Sequence, residues 1–274
     1  MTVTNAVETT MIWGTVSGAS MVGMVISLLL SVVLPIFLGI FIYKKTKAWV
    51  PAFFIGCGIF VGFAMILEQI CHAIVLTVTG DVIRDNIWLY AIYGGLAAAL
   101  FEECGRWIAM KFCLKKHLTR ENALMYGAGH GGIEAFLILG MSSMSNLLTA
   151  AMINGGLMEK TMTALEPAQQ EVTYHQLSVL WTTPAYQFYL APVERISAIA
   201  LQIALSILVY SAVKTGRKLH LAAAFGLHFA VDFLTVICAA AIPTWALELG
   251  LLLVVAVICV VVYQLVYVQM AEKK

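Results

Sequence analysis

The chain has 274 residues, of which 61% are hydrophobic and only 11% are charged. A soluble domain carries about 25% charged residues, so this composition excludes an ordinary soluble protein and favours a polytopic membrane protein whose main partner is the lipid bilayer. The formal net charge of +1 gives no sign of a nucleic-acid partner, and none is expected.

Seven apolar stretches are long enough to cross a bilayer core, which needs about 20 helical residues. They cover residues 15–43, 49–79, 87–112, 122–150, 186–213, 218–241 and 244–269. The predicted fold is therefore all-α, a polytopic transmembrane helical bundle of about seven spans that forms a single integral-membrane domain over residues 1–274. The first residues, Met1 to Ala19, contain Glu8 and no basic run, so we expect no cleaved signal peptide.

Basic residues cluster at alternate ends of these stretches, and the cytoplasmic side of a membrane protein carries the excess of Lys and Arg. The cluster members are Lys44, Lys45, Lys47, Lys111, Lys115, Lys116, Arg120, Lys214, Arg217, Lys218, Lys273 and Lys274. The opposite loops hold only Arg84 and Lys160. This pattern predicts a multi-pass protein of the plasma membrane with its N-terminus outside and its C-terminus in the cytoplasm. Residues 154–184 are then a long extracellular loop, with a lid or a partly re-entrant segment as the alternative.

Three ionisable residues from separate spans are predicted to share one depth. Glu102, His130 and His228 each lie nine or ten residues from a basic residue at the cytoplasmic end of their stretch. Since a helix advances about 1.5 Å per residue, all three lie roughly 13–15 Å inside that boundary. Ionisable side chains are costly in hydrocarbon, and a cluster of them predicts a functional site.

Two further residues flank Glu102 on its own helix. Glu103 is adjacent, and Arg106 follows one turn later, so the three side chains can share a helix face. Arg106 can hold either Glu103 or Glu102 in place, and the sequence leaves both arrangements open.

Each histidine of the cluster has a carboxylate four residues further on. Glu134 follows His130 and Asp232 follows His228, at a spacing that lets a carboxylate orient an imidazole or form a local structural hydrogen bond. Small residues surround His130, namely Gly127, Gly129, Gly131 and Gly132. These glycines indicate either close helix packing or an open path for a peptide backbone.

A second polar set is predicted to lie apart from this cluster. Glu68, His72, Glu194 and Arg195 lie about 20 residues from the nearest cytoplasmic anchors. That count places them near the outer face, roughly 30 Å from the inner one. We expect Arg195 to pair either with Glu68 or with neighbours of Glu194, and so to form a structural brace outside the site.

The residue types in the shared-depth cluster are those of a hydrolase. A Glu and a His within hydrogen-bond range can activate water, and a second His can donate to the oxyanion of a tetrahedral intermediate. Glu102, His130 and His228 are also the ligand types that bind a divalent metal such as zinc with one open position. The sequence contains no His-Glu-x-x-His motif, which excludes that zinc-protease arrangement. The alternative is a proton- or ion-coupled transporter or a non-catalytic binding protein that uses the same buried groups.

Three motifs carry a resemblance to a known superfamily. Glu102-Glu103-x-x-Arg106 resembles the Glu-Glu-x-x-x-Arg motif of the CAAX protease and bacteriocin-processing superfamily, the glutamate intramembrane proteases, with Arg one position closer. Tyr126-Gly-Ala-Gly-His130 resembles the second motif, aromatic-x-x-x-His, and His228-Phe-Ala-Val-Asp232 the third, His-x-x-x-Asn/Asp. More closely, Glu-Glu-x-x-Arg-Trp together with Gly-His-Gly-Gly-x-Glu-Ala is similar to the YhfC family, bacterial membrane proteins described as metalloproteases.

The resemblance implies an endopeptidase acting on a membrane-embedded or lipid-modified peptide. It implies that Glu102 and His130 activate water and that His228, oriented by Asp232, stabilises the oxyanion. The implied catalytic set is Glu102, Glu103, Arg106, His130, His228 and Asp232, with Glu134 and Tyr126 as supporting residues. A metal, if the chemistry uses one, is expected on Glu102, His130 and His228.

Overall fold

A computed structural model describes residues 11–270 of the chain. Its helices, in chain order, are α1 (Gly18–Thr46), α2 (Pro51–Thr79), α3 (Asp81–Arg84), α4 (Ile87–Cys113), α5 (Arg120–Asn154), α6 (Leu157–Met162), α7 (Pro167–Thr182), α8 (Ala185–Thr215), α9 (Lys218–Ala239) and α10 (Thr244–Val268). A short 3₁₀ turn, Lys115–His117, joins α4 to α5. The expectation about a signal peptide, and the two lysines at 273 and 274, fall outside the described residues.

Seven of these helices are long and apolar enough to cross a membrane. They are α1, α2, α4, α5, α8, α9 and α10. Every regular element between residues 11 and 270 is helical, so the all-α fold with about seven spans is confirmed. The orientation of the two termini stays a prediction.

The segment 154–184 is mostly helical rather than an irregular loop. It contains α6 and α7, and α7 begins at Pro167, which has no N–H and therefore suits the first turn of a helix. On α7, Leu180 belongs to a buried apolar cluster with α1, and the Tyr174 hydroxyl donates to the carbonyl of Ile12 at 2.7 Å. This packing holds α7 against the start of α1, and the extracellular position of the segment stays a prediction.

Helix α8 is the central helix of the bundle. Within its most apolar stretch 72% of the residues are buried, against 17–33% for the other six spanning helices. Its buried residues, such as Leu205 and Val209, pack against neighbouring helices that include α1, α5, α9 and α10. Because α8 has little lipid-facing surface, polar side chains on it must find partners inside the protein.

The glycines around His130 serve helix packing. A Cβ atom at Gly129 would lie 1.9 Å from the carbonyl oxygen of Phe53 on α2, and one at Gly127 would lie 2.7 Å from a backbone atom of α8. A Cβ at Gly132 would lie 2.6 Å from Pro35 on α1. Three helices therefore fill the space beside α5, and the alternative of an open peptide path at these glycines is wrong.

Side-chain caps lie at the start of α4 and of α5, the helices that carry Glu102 and His130. The Asn86 side chain accepts from the backbone N–H groups of Trp88 and Leu89 at the start of α4. The Thr119 hydroxyl accepts from the N–H of Asn122 at 3.2 Å at the start of α5. These caps satisfy N–H groups that have no partner within the helix, and they fix where each helix begins.

Four of the spanning helices contain a π-helical segment. These segments are Val61–Glu68 of α2, Ala109–Cys113 of α4, Phe136–Gly140 of α5 and Tyr263–Val268 of α10. A π-helical turn holds more residues than an α-helical turn and often marks a functional site. Such a segment advances less per residue, so depth counted at the α-helical rise is overestimated beyond it.

Candidate active site

The structure brings Glu102, His130 and His228 together from α4, α5 and α9. His130 Nε2 lies 2.9 Å from Glu102 Oε2, and His228 Nε2 lies 3.9 Å from the same oxygen. All three side chains are buried. Residues that are 28 and 126 positions from Glu102 along the chain thus meet at one carboxylate, as the common depth predicted.

Glu103 links the second histidine to the arginine. Its Oε1 lies 2.8 Å from His228 Nδ1, and its Oε2 lies 3.1 Å from Arg106 Nε. Both Glu103 and Arg106 are almost completely buried, so each charge needs the other as its counter-charge. Of the two arrangements that the sequence leaves open, Arg106 pairs with Glu103.

Gln202 on α8 is a site residue that the sequence analysis missed. Its Nε2 donates to Glu102 Oε2 at 2.8 Å and to Glu134 Oε2 at 2.8 Å. Its Oε1 accepts from Arg106, which also donates to the Gln202 carbonyl at 2.6 Å and to the Ser206 hydroxyl at 2.7 Å. The available signal was the pair Gln202 and Ser206, two polar side chains one helical turn apart in an otherwise apolar span.

Glu134 does not orient His130. Its Oε1 lies 3.1 Å from Arg195 Nη1, its Oε2 accepts from Gln202, and no hydrogen bond joins it to His130 in the described structure. Arg195 also pairs with the neighbouring Glu194. The expectation that Arg195 lies outside the site is therefore wrong, because Arg195 contacts Glu134, which shares Gln202 with Glu102.

Glu68 also lies closer to the site than its position in the sequence indicated. It is buried and within electrostatic range of Glu102, His228 and Asp232. Its side chain pairs with His72 Nε2 at 3.2 Å, and His72 Nδ1 lies 2.7 Å from the Tyr93 hydroxyl. The structure pairs Glu68 with His72 rather than with Arg195, and this pair borders the site.

The remaining two predicted residues lie next to the two histidines. The Tyr126 hydroxyl lies 3.4 Å from His130 Nδ1, and Phe60 packs edge-on against the His130 ring with centroids 5.3 Å apart. Asp232 Oδ2 lies 3.5 Å from His228 Nε2, and its side chain is 36% exposed. Asp232 is the most exposed of the site carboxylates, and Glu103 rather than Asp232 makes the shorter contact with His228.

The two oxygens of Glu102 have different surroundings. Oε2 lies within hydrogen-bond range of His130 and Gln202. Oε1 makes no hydrogen bond with any described residue, and it is not among the side-chain atoms that are sealed from solvent. Glu102 therefore presents one oxygen held by the protein and one oxygen free to accept a proton.

The donor set can be tested against the metal that the sequence suggests. Among residues 11–270, no three His, Cys, Asp or Glu side chains are arranged to hold a metal ion. His130 points its Nε2 at Glu102 Oε2, which also accepts from Gln202, so these groups satisfy each other by hydrogen bonds. The types of residue suit zinc, but this arrangement does not fit a bound metal, and no step below uses one.

Comparisons with known proteins support a family assignment. Residues 30–259 match the model of a family described as YhfC intramembrane metalloprotease. The chain is 41% identical over 222 residues to a Bacillus subtilis (strain 168) protein named "Uncharacterized membrane protein YhfC", covering 78% of this chain and 83% of that relative. No solved structure matches the chain. By the extent of both matches, the chain is a multi-pass membrane protein that belongs to the YhfC family.

Proposed function

We propose that the chain is an intramembrane endopeptidase that hydrolyses a peptide bond of a membrane-associated substrate. The observation that carries this proposal is the meeting of Glu102, His130 and His228, which come from three helices distant in sequence. Buried ionisable groups in a membrane protein are costly, and a base, its histidine partner and a second histidine at one point form a hydrolytic set.

Glu102 acts as the general base in this proposal. Its Oε1, which makes no hydrogen bond within the described chain, takes a proton from water while the water oxygen attacks the carbonyl carbon of the substrate. His130 Nε2 lies 2.9 Å from Oε2 and holds the carboxylate in place. Tyr126, at 3.4 Å from His130 Nδ1, supports the tautomer that carries its proton on Nε2.

His228 stabilises the oxyanion that this attack produces. Its Nδ1 donates to Glu103 Oε1 at 2.8 Å, which fixes the ring. Its Nε2 lies 3.5 Å from Asp232 and 3.9 Å from Glu102, beyond ordinary hydrogen-bond length. In the doubly protonated ring, the Nε2–H is therefore free to donate to the developing oxyanion. The intermediate then collapses, the C–N bond breaks, and the proton on Glu102 passes to the leaving amine.

The predicted depth of the site supports one class of substrate. The predicted topology places the catalytic groups nearer the cytoplasmic face, so we expect the substrate to enter from that side. A peptide bond at this depth belongs to a membrane-embedded or lipid-modified peptide, because a soluble substrate has no route into the hydrocarbon core. The three ordered motifs support placement of the chain with the glutamate intramembrane proteases.

The test compares new protein N-termini in bacterial membranes. A Bacillus host that lacks its own YhfC protein expresses either this chain or its Glu102→Gln variant, and mass spectrometry identifies N-termini created within membrane proteins. The wild-type chain is expected to create such termini, and Glu102→Gln and His130→Gln are expected to remove them. Glu159→Gln, the same substitution at an exposed carboxylate of α6, is the matched control and is expected to cleave as the wild type does.

Two results would contradict the proposal. One is a set of N-termini that is the same with and without the wild-type chain. The other is unchanged cleavage by a folded Glu102→Gln protein. The transporter alternative gains support if purified protein in liposomes carries protons or ions and this flux stops in Glu134→Gln or Asp232→Asn.

A further inference from the structure

The side-chain amide of Gln202 joins three charged residues from two other helices. The amide is buried at the centre of α8. Its nitrogen carries two protons, and these are directed to Glu102 Oε2 and Glu134 Oε2, each 2.8 Å away. Its oxygen accepts from Arg106. The donor capacity of the nitrogen is fully used.

The charges around Gln202 fix the orientation of its amide. A flipped amide would place its oxygen against two carboxylates and its N–H groups against the guanidinium of Arg106. That arrangement replaces attraction with repulsion at all three contacts. The amide therefore has one favourable orientation, and in that orientation it always presents an N–H to Glu102.

A second ion pair supports the amide from its far side. Glu134 Oε1 lies 3.1 Å from Arg195 Nη1, while Glu134 Oε2 accepts from Gln202. Arg195 and Gln202 are seven residues apart on α8, so they lie on one face of that helix. These contacts form a chain across the bundle centre. In that chain the neutral amide of Gln202 lies between the positive Arg106 and the negative Glu134, and Arg195 supplies the counter-charge of Glu134.

We infer that Gln202 is a positioning residue, which acts on the reaction through Glu102 without touching the substrate. Together with His130 it engages Oε2 of Glu102, so that Oε1 alone faces the reacting water. This inference rests on the proposed function. Removing the amide leaves His130 alone to hold Oε2, so the carboxylate can rotate more readily about its terminal bond and the oxygen that faces the substrate is less firmly fixed.

The first test measures kcat and KM of purified full-length protein on a membrane substrate identified from its new N-terminus. Gln202→Met keeps the length of the side chain and removes both N–H donors. We expect kcat to fall on the order of 10- to 100-fold, because misplacing a catalytic group by about 1 Å has this effect, while KM changes by less than about threefold. Gln202→Asn, one methylene shorter, keeps the amide but shortens its reach, and we expect an intermediate kcat.

The matched control lies on the same helix. Ser211→Ala also removes a buried hydrogen-bonding group from α8, one that lies 2.8 Å from His220 Nδ1 and far along the helix from the site. We expect kcat and KM of Ser211→Ala to equal those of the wild type. A folded Gln202→Met protein with wild-type kcat would overturn the inference, and so would a variant in which KM alone changes.

The second test needs no substrate. A double-mutant cycle measures unfolding of the wild type, Gln202→Met, Glu102→Gln and the double variant in mixed detergent micelles. If Gln202 acts on Glu102, the unfolding equilibrium constant of the double variant departs from the product of the single effects by on the order of tenfold. Additive effects would overturn the contact. A wild-type chain that cleaves nothing refutes the proposed function, whereas the cycle still decides whether Gln202 acts on Glu102.

Discussion

Gly56 on α2 tests whether close helix packing sets the geometry of the site. A Cβ atom at Gly56 would lie 2.2 Å from the carbonyl oxygen of Tyr126 and 2.8 Å from the backbone nitrogen of His130. At Gly58, two residues further along the same helix, an added Cβ meets nothing within 4 Å. Gly56→Ala and Gly58→Ala therefore add the same methyl group to α2, but only the methyl group at position 56 clashes with α5.

The distances give the size of the expected effect. Ordinary van der Waals contact begins at 3.4 Å, and the added Cβ would lie 2.2 Å from the Tyr126 oxygen. In the Gly56→Ala variant, α2 and α5 must therefore move apart by about 1.2 Å. Overpacking of this kind lowers the free energy of unfolding by about 1–3 kcal/mol. His130 moves with α5, and a displacement of about 1 Å at a catalytic group lowers kcat/KM on the order of 100-fold. Gly58→Ala exchanges Gly for a better helix former, which stabilises by up to about 1 kcal/mol.

The assay combines unfolding in mixed detergent micelles with cleavage of one membrane substrate by purified protein. We expect Gly56→Ala to lose both stability and activity and Gly58→Ala to lose neither. If Gly56→Ala matches Gly58→Ala in both measurements, then the close approach of α2 to α5 does not position His130 and the argument from packing is refuted.

Three further predictions concern charged groups and metal. Arg106→Lys keeps the positive charge but loses the contacts that the guanidinium makes with both Glu103 and Gln202. We therefore expect the free energy of unfolding in the same micelles to fall by about 2–3 kcal/mol. An unchanged free energy would contradict the pairing. Arg195→Gln leaves Glu134 without its counter-charge, and we expect a loss of about 1–3 kcal/mol, with a smaller fall in kcat than in Gln202→Met. Dialysis against a chelator is expected to leave cleavage unchanged, because His130 and Glu102 hydrogen-bond to each other and no three ligands among residues 11–270 are arranged around a metal ion. Loss of activity that zinc restores would contradict this.

The depth of the site was predictable from the sequence because a helix has a fixed rise and basic residues mark one boundary of the bilayer. Counting from those residues placed Glu102, His130 and His228 on one level, and the structure brings them together. Depth does not give the direction in which a side chain faces around its helix. The choice of Glu103 as the partner of Arg106 therefore had to come from the structure.

Different reasons explain why Arg195 was placed outside the site and why Gln202 was missed. At about 1.5 Å per residue, Glu134 lies about 21 Å and Arg195 about 29 Å from their cytoplasmic anchors, a difference that a long arginine side chain and helix tilt can span. For Glu68 the count also passes through Val61–Glu68, which is π-helical and advances less per residue, so the shorter rise accounts for a small part of the difference. Gln202 carries no charge, so the pattern of ionisable residues in the sequence does not include it.

The difference in role between the two adjacent carboxylates provides the most direct test of the account. Glu102 is the proposed base, whereas Glu103 acts only by holding His228 and pairing with Arg106. In single-turnover cleavage by purified protein, Glu102→Gln is expected to lower the rate by about 10²–10⁴-fold, the usual contribution of a general base. Glu103→Gln, which retains an oxygen that can accept from His228 Nδ1, is expected to keep a measurable rate at least about tenfold above that of Glu102→Gln. Equal rates for the two variants, or a faster Glu102→Gln, would contradict the assignment of Glu102 as the group that activates water.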